Sequence, residues 1–261
     1  MRTIKESDKF TDSSILEGMT SVSAVIHAAD SDFNDRTIQT VWVDETRLVQ
    51  KAKEVSYLKH QAERLGFSIE HVSPERLETV TTGNTHGGIV AFCSDRTIPP
   101  LSDLEKSIAP DGFYAFLDGV EDPYNFGYAL RSLYAAGIDG VVLPQRNWMT
   151  AAGVVTRASA GTSERLRLWQ ASPADIPAFF RAHGYRTVCA GIRDSVSLYD
   201  ADLKKPLLLV VGGEKRGISR AVLDEADLTV RIDYRSDFNG SLSAAAATAV
   251  LAFEVLRQNR T

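Results

Sequence analysis

The sequence predicts an α/β fold, a largely parallel sheet flanked by helices and carried by two successive domains. Three observations lead there. Apolar runs such as Leu207–Gly213 are continuous rather than alternating, as strands buried on both faces are. Helical patterns lie between these runs, so β and α alternate along the chain. The 261 residues suit one large or two modest domains, and residues 95–112, with three of the nine prolines and few large apolar side chains, mark a boundary.

The first domain is expected over residues 1–95. Ile38–Asp44 is a β-branched and aromatic run that predicts a strand. Leu48, Ala52, Val55, Leu58, Ala62 and Leu65 then recur at helical spacing, and Gly66 follows as a stop. Phe67–Val72 predicts a second strand, Pro74–Leu77 a short helix and Gly87–Cys93 a third strand. Residues 96–112 are expected to be a linker. In the second domain, 113–261, strands are expected at Phe113–Gly119, Gly140–Leu143, Tyr185–Gly191, Leu207–Gly213 and Leu228–Ile232. The helices between and after them are expected at Pro123–Ala136, Pro173–Ala182 and Ser241–Arg257.

Composition excludes several classes. Hydrophobic residues are 44% and charged residues 24%, which is ordinary globular composition. Cys93 and Cys189 are too few for a disulfide framework or a zinc cluster, and a reducing, cytoplasmic setting is expected. The polar N-terminus is not expected to be a signal peptide, and no stretch approaches a membrane span. Phosphate-loop, dinucleotide-binding, metalloprotease and nucleophile-elbow patterns are all missing. Four of the five histidines, 27, 60, 71 and 86, lie in the first domain, and His183 reads as a surface residue. The net charge of −5 argues against general attraction to nucleic acid. Residues 1–108, however, hold 12 basic and 17 acidic residues, which leaves 17 of each for the rest. In that neutral remainder 14 of the 17 bases are arginine, the better group for phosphate.

Three stretches of the second domain carry chemistry. In the first, a strand ends near Asp118 and a helix starts after Asp122, an N-cap, with Pro123 at its first position. Asn125 and Arg131 lie off its buried stripe, near the carboxyl edge where open α/β sheets bind ligands. A well-capped helix with a solvated arginine is the plain alternative. In the second, strand Leu207–Val211 runs into Gly212-Gly-Glu-Lys-Arg-Gly217, where glycines allow close approach of a ligand. The third leads from Val230–Tyr234 through a polar loop to Ser241-Leu-Ser-Ala-Ala245 and a helix of small residues suited to close packing.

In this order and spacing the three stretches resemble the motifs of the SpoU/TrmH family of RNA ribose 2′-O-methyltransferases, of the SPOUT superfamily. Ser159-Ala-Gly161 followed by Glu164 is similar to a further family segment. Glu17-Gly18 with Val22–Val25, and Thr85–Ala91, resemble the ribosomal-protein-like RNA-binding module that often precedes the family domain. The resemblance implies a parallel sheet with a C-terminal trefoil knot, S-adenosylmethionine as cofactor, an RNA partner (ribosomal or transfer RNA), a homodimer, and no metal or membrane. It implies cofactor contacts at Gly212, Ile232 and Leu242, with Leu209, Gly213 and Gly217 shaping the pocket. It makes Arg131 the base or phosphate anchor, Asn125 its partner and Glu214 the acid of the second motif. Arginine is a poor base, so we expect Arg131 to orient and stabilise charge.

The third motif departs from the family. Ser243 stands at the family's Asn, Ala245 at its second Ser, and Ile232-Asp-Tyr234 at its I-P-M. Ser243, Asn239 or Asp233 is then expected to compensate. The departure leaves open a knotted RNA-binding or ribosome-assembly protein with reduced or lost methyl transfer. The acidic first domain leaves open an enzyme acting on a small molecule.

Overall fold

The computed structural model describes residues 14–82, 84–144, 151–237 and 239–260. These divide into two compact units, one of residues up to 97 together with 151–165, the other of 98–144 together with 166–260.

In the first unit, β1 (Ile15–Glu17) leads into α1 (Gly18–Ala28), then β2 (Ile38–Asp44), α2 (Ala52–Leu65), β3 (Ser68–Val72), α3 (Pro74–Glu78) and β4 (Ile89–Cys93). The strand order is β1-β4-β2-β3, with β2 parallel to β3 and β4 antiparallel to both β1 and β2. Val25, Ile26 and Leu58 bury against Val41, Val43 and Ile89. Gly66 ends α2 at φ 79°, the left-handed stop expected there. β1 and α1 add a strand and a helix to the expected elements. A three-residue strand has no periodicity to detect, and only pairing with β4 defines it.

The second unit begins at β5 (Phe113–Asp118) and continues through α4 (Pro123–Ala135) and β6 (Gly140–Pro144). Next come α5 (Ala152–Ala158) and α6 (Thr162–Arg165), which belong to the first unit. The chain then gives β7 (Leu168–Ala171), α7 (Ile176–Ala182), β8 (Arg186–Ala190), β9 (Val196–Ser197), β10 (Leu207–Gly212), α8 (Arg220–Leu223), β11 (Leu228–Arg231) and α9 (Ala244–Gln258). All seven strands are parallel, in the order β7-β6-β5-β10-β8-β11-β9. The five expected strands are present, and short β7 and β9 are added at the two edges. Phe116, Val142, Phe180, Leu208 and Val210 form the core of this unit.

Two expectations about organisation change. From Ile98 on, the stretch expected as a linker belongs to the second unit. Leu101 and Leu104 are buried on a 3-10 turn, and the Gln170 backbone N–H donates to Pro99 O at 2.9 Å. Residues 151–165, expected in the second domain, cluster with the first unit. There the buried Glu164 accepts from Asn34 Nδ2 at 3.0 Å and from Arg36 Nε at 3.1 Å. A Cβ on Gly161 would lie 2.5 Å from Ala24 Cβ, so this turn presses on α1 and needs glycine. Contacts spanning more than 100 residues cannot be read from local pattern.

Candidate active site

The site is built where parallel strands end. Asp118 closes β5, and its Oδ2 accepts from the Ser219 N–H at 2.7 Å. Its carbonyl accepts from the Gly213 N–H at 2.8 Å. These two bonds draw the turns after β5 and β10 together. A Cβ on Gly213 would lie 1.8 Å from Gly119 O, and one on Gly212 would lie 2.4 Å from Gly217 C. The glycines are therefore required by one strand of backbone crowding another.

Asp122 caps α4 by accepting from the Asn125 N–H at 2.7 Å, so Asn125 sits in the first turn of that helix. Its Nδ2 donates to Glu214 Oε1 at 2.8 Å. The same oxygen accepts from the Ala244 N–H, the first helical residue of α9, at 3.2 Å. One carboxylate thus joins the glycine turn, α4 and the amino end of α9, where a negative group is favoured by the helix dipole. Ser243 caps α9, its Oγ accepting from the Ala246 N–H at 3.3 Å.

Beyond the ends of β8 and β11 lies a cavity of about 460 Å³, within the range of small-ligand pockets. Its wall comes from Ala190–Ile192, Val230–Tyr234, Asn239–Leu242 and two residues of α9. Most of that wall is apolar, with Arg231 and Asp233 as its charged pair, 2.7 Å apart. Hydrogen bonds from Ser197 and Arg231 hold the Asp233 carboxyl below the usual carboxylate range. Burial pushes the thiols of Cys93 and Cys189 up to about 12, which removes both as nucleophiles at neutral pH.

Comparison with known proteins fits this geometry. Residues 112–253 match the SpoU rRNA Methylase family, and residues 15–99 match the RNA 2′-O ribose methyltransferase substrate-binding family. The chain belongs to the SpoU rRNA methylase family. Among curated SpoU relatives, the 23S rRNA (guanosine-2′-O-)-methyltransferase RlmB of Shewanella oneidensis is 32% identical over 207 residues, covering 78% of this chain and 84% of that protein. The putative TrmH family tRNA/rRNA methyltransferase YacO of Bacillus subtilis is 28% identical, covering 90% of this chain and 93% of that protein. Among solved structures, an AdoMet-bound rRNA methyltransferase from Sinorhizobium meliloti superposes with a TM-score of 0.75 at 26% identity, over 95% of this chain and 88% of that one.

In this SpoU methylase the residues expected at the site fall into three groups. Asn125, Glu214 and the Ser243–Ala244 step are joined by hydrogen bonds. Ile232 and Leu242 line the cavity, whereas Leu209 in the middle of β10, Gly212 at its end, and Gly213 and Gly217 in the turn after it are not part of that wall. Arg131 stands apart. It is exposed on α4, six residues after Asn125 and so about 9 Å further along the axis. Among the described residues no hydrogen bond or ion pair engages its side chain. Sequence reasoning missed Ala190–Ile192 and Tyr234 as cavity residues. Only the adjacency of β8 and β11, a pairing of strands separated by β9 and β10 in sequence, brings the first group there.

Proposed function

We propose that this SpoU methylase transfers a methyl group from S-adenosylmethionine to a ribose 2′-hydroxyl of ribosomal or transfer RNA, with a guanosine of large-subunit ribosomal RNA the first target to test. The observation that carries the reading is the apolar cavity at the ends of β8 and β11, beside the Asn125–Glu214–Ala244 junction. The wall suits the cofactor chemically. Its apolar surface fits a flat adenine, and the Arg231–Asp233 pair offers both signs of charge to a zwitterionic amino-acid tail. Ile232 and Leu242 would hold the cofactor, and Leu209, Gly212, Gly213 and Gly217 would shape its surroundings. When bound there, the cofactor supplies an electrophilic methyl on a sulfonium centre.

The rest of the task belongs to the chain. A ribose hydroxyl must be aligned, and its proton removed as its oxygen is methylated. Arg131, a planar guanidinium, is suited to holding phosphate and stabilising developing oxyanion charge rather than to taking the proton. Glu214 keeps Asn125 oriented through Oε1. Ser243 uses its oxygen as a helix-cap acceptor and retains a hydroxyl proton to donate toward the site.

Incubation with labelled S-adenosylmethionine and total RNA should put label into alkali-resistant ribose positions. Absence of label, from folded protein that binds the cofactor, would reject the methyltransferase reading in favour of a non-catalytic RNA-binding protein.

The proposal includes a homodimer, a threaded C-terminal segment and a cytoplasmic setting. Tyr124 and Tyr128 on α4, and Val250 and Phe253 on α9, are large apolar residues left exposed on two helices that pack together. Such surface favours burial against a second copy, and a dimer would bring arginines of both subunits near one cleft. Among the described residues no helix is long and apolar enough to cross a membrane.

A further inference from the structure

The cavity wall contains a tie, between Tyr234 and Leu242, that the family motifs do not explain. Ile232–Tyr234 and Asn239–Leu242 form two parts of the wall, and the Tyr234 hydroxyl accepts from the Leu242 N–H at 3.1 Å. Both ends of this segment are anchored elsewhere. At its start, Arg231 donates to Ser195 O at 2.6 Å and to Asp233 Oδ1 at 2.7 Å. At its finish, the Ala244 N–H meets Glu214. Between those anchors, among the described residues 235–237 and 239–241, none makes a hydrogen bond or ion pair. The Tyr234–Leu242 bond links the two sides of that span. A loop with few internal bonds loses entropy when a ligand orders it, and a tie made beforehand reduces that loss.

We propose that Tyr234 is a positioning residue, whose hydroxyl holds Leu242 and its neighbours in the cofactor-binding arrangement before the cofactor arrives. The inference rests on the cavity being the cofactor site. It assigns a purpose to the tyrosine that stands at the methionine of the family motif. The ring is 39% exposed at the cavity, so replacing it should not open a hole in the core.

The test compares the full-length protein with Tyr234→Phe, which removes only the hydroxyl, and Tyr234→Met, which keeps apolar bulk without an acceptor. Titration with S-adenosylmethionine should give a Kd, and steady-state assays a matching KM, raised by about 3- to 10-fold in both variants, the loss of one ordinary hydrogen bond. The kcat at saturating cofactor, the RNA KM and the melting temperature should stay close to wild type. Without cofactor, amide exchange at Leu242 should accelerate in Tyr234→Phe. An unchanged Kd, a tighter Kd, or a fall in kcat with KM unaltered would overturn the positioning role while leaving the methyltransferase reading intact. A wild-type protein that does not bind S-adenosylmethionine at all would overturn both.

Discussion

Glu214 and Arg131 both belong to the second unit and are held in opposite ways. Glu214 Oε1 accepts from both Asn125 and Ala244, so its position is fixed by two elements at once. The Arg131 side chain is exposed, and among the described residues no hydrogen bond or ion pair engages it. Replacing Arg131 by Ala should lower single-turnover methylation by about 100-fold or more, the cost of removing one charge-stabilising donor, with cofactor Kd unchanged. Arg131→Lys should restore little, because a point charge does not reproduce a planar fork. Ser243 makes a second test at this scale. Ser243→Ala should cost about 1 kcal/mol of stability through the lost cap, read by chemical denaturation. Ser243→Asn keeps a capping oxygen and restores the family residue, so its stability should hold and its turnover should equal or exceed wild type. Asn125 and Glu214 were legible because each sits in a spaced motif. Tyr234 was not, because its meaning depends on an amide eight residues away.

The elements that position the site differ in how far local pattern reveals them. β5 and β10 are buried on both faces and six residues long, and their apolar runs announced them. β7 and β9 are four and two residues long, and only their neighbours make them strands. α9 starts at Ala244, three residues later than its apolar pattern suggested, because Ser243 caps there. The turn after β10 carries the sharpest steric demand. Gly213→Ala would drive a methyl into Gly119 O and should destabilise the protein by more than about 3 kcal/mol. Gly66→Ala faces open space and only a positive φ, so it should cost about 1 kcal/mol. Thermal and urea unfolding of the two variants compares a clash with a conformational preference.

At the scale of the whole molecule, charge and burial meet at Glu164. Burial pushes its carboxyl up, but Arg36 and Arg96, with hydrogen bonds from Asn34 and Thr156, outweigh that and hold it below the usual 4.5. A carboxylate with a lowered folded pKa stabilises fully above its unfolded pKa, and that contribution fades as pH falls through the folded value. Stability should therefore drop on acidification below about pH 4.5, and Glu164→Gln should flatten that acid limb. At neutral pH the same variant should cost about 3–5 kcal/mol, because it removes one charge of a buried ion pair with Arg36. The overall charge of −5 has become a narrower statement. Arg157 is already paired with Glu17 at 2.8 Å, so its loss should affect stability more than RNA affinity. Arg131 and Arg216 are exposed, and each that contacts a phosphate should reduce the salt dependence of RNA binding by about 0.7 per single-strand contact when replaced by Ala.

The sequence by itself determined the α/β class, the long strands, the capped helix carrying Asn125 and Arg131, the glycine turn with Glu214, and the family these motifs resemble. Those features live within runs of about a dozen residues, where periodicity, caps and glycine spacing act locally. Tertiary structure decided the strand order that sets β8 beside β11, the cavity this opens, and the junction of Asn125, Glu214 and Ala244. It also placed residues 151–165 with the first unit, through Glu164, Asn34 and Arg36. Each of these joins residues far apart in the chain, and the decisive energies are those of burial and of pairing buried charge, which no local window contains.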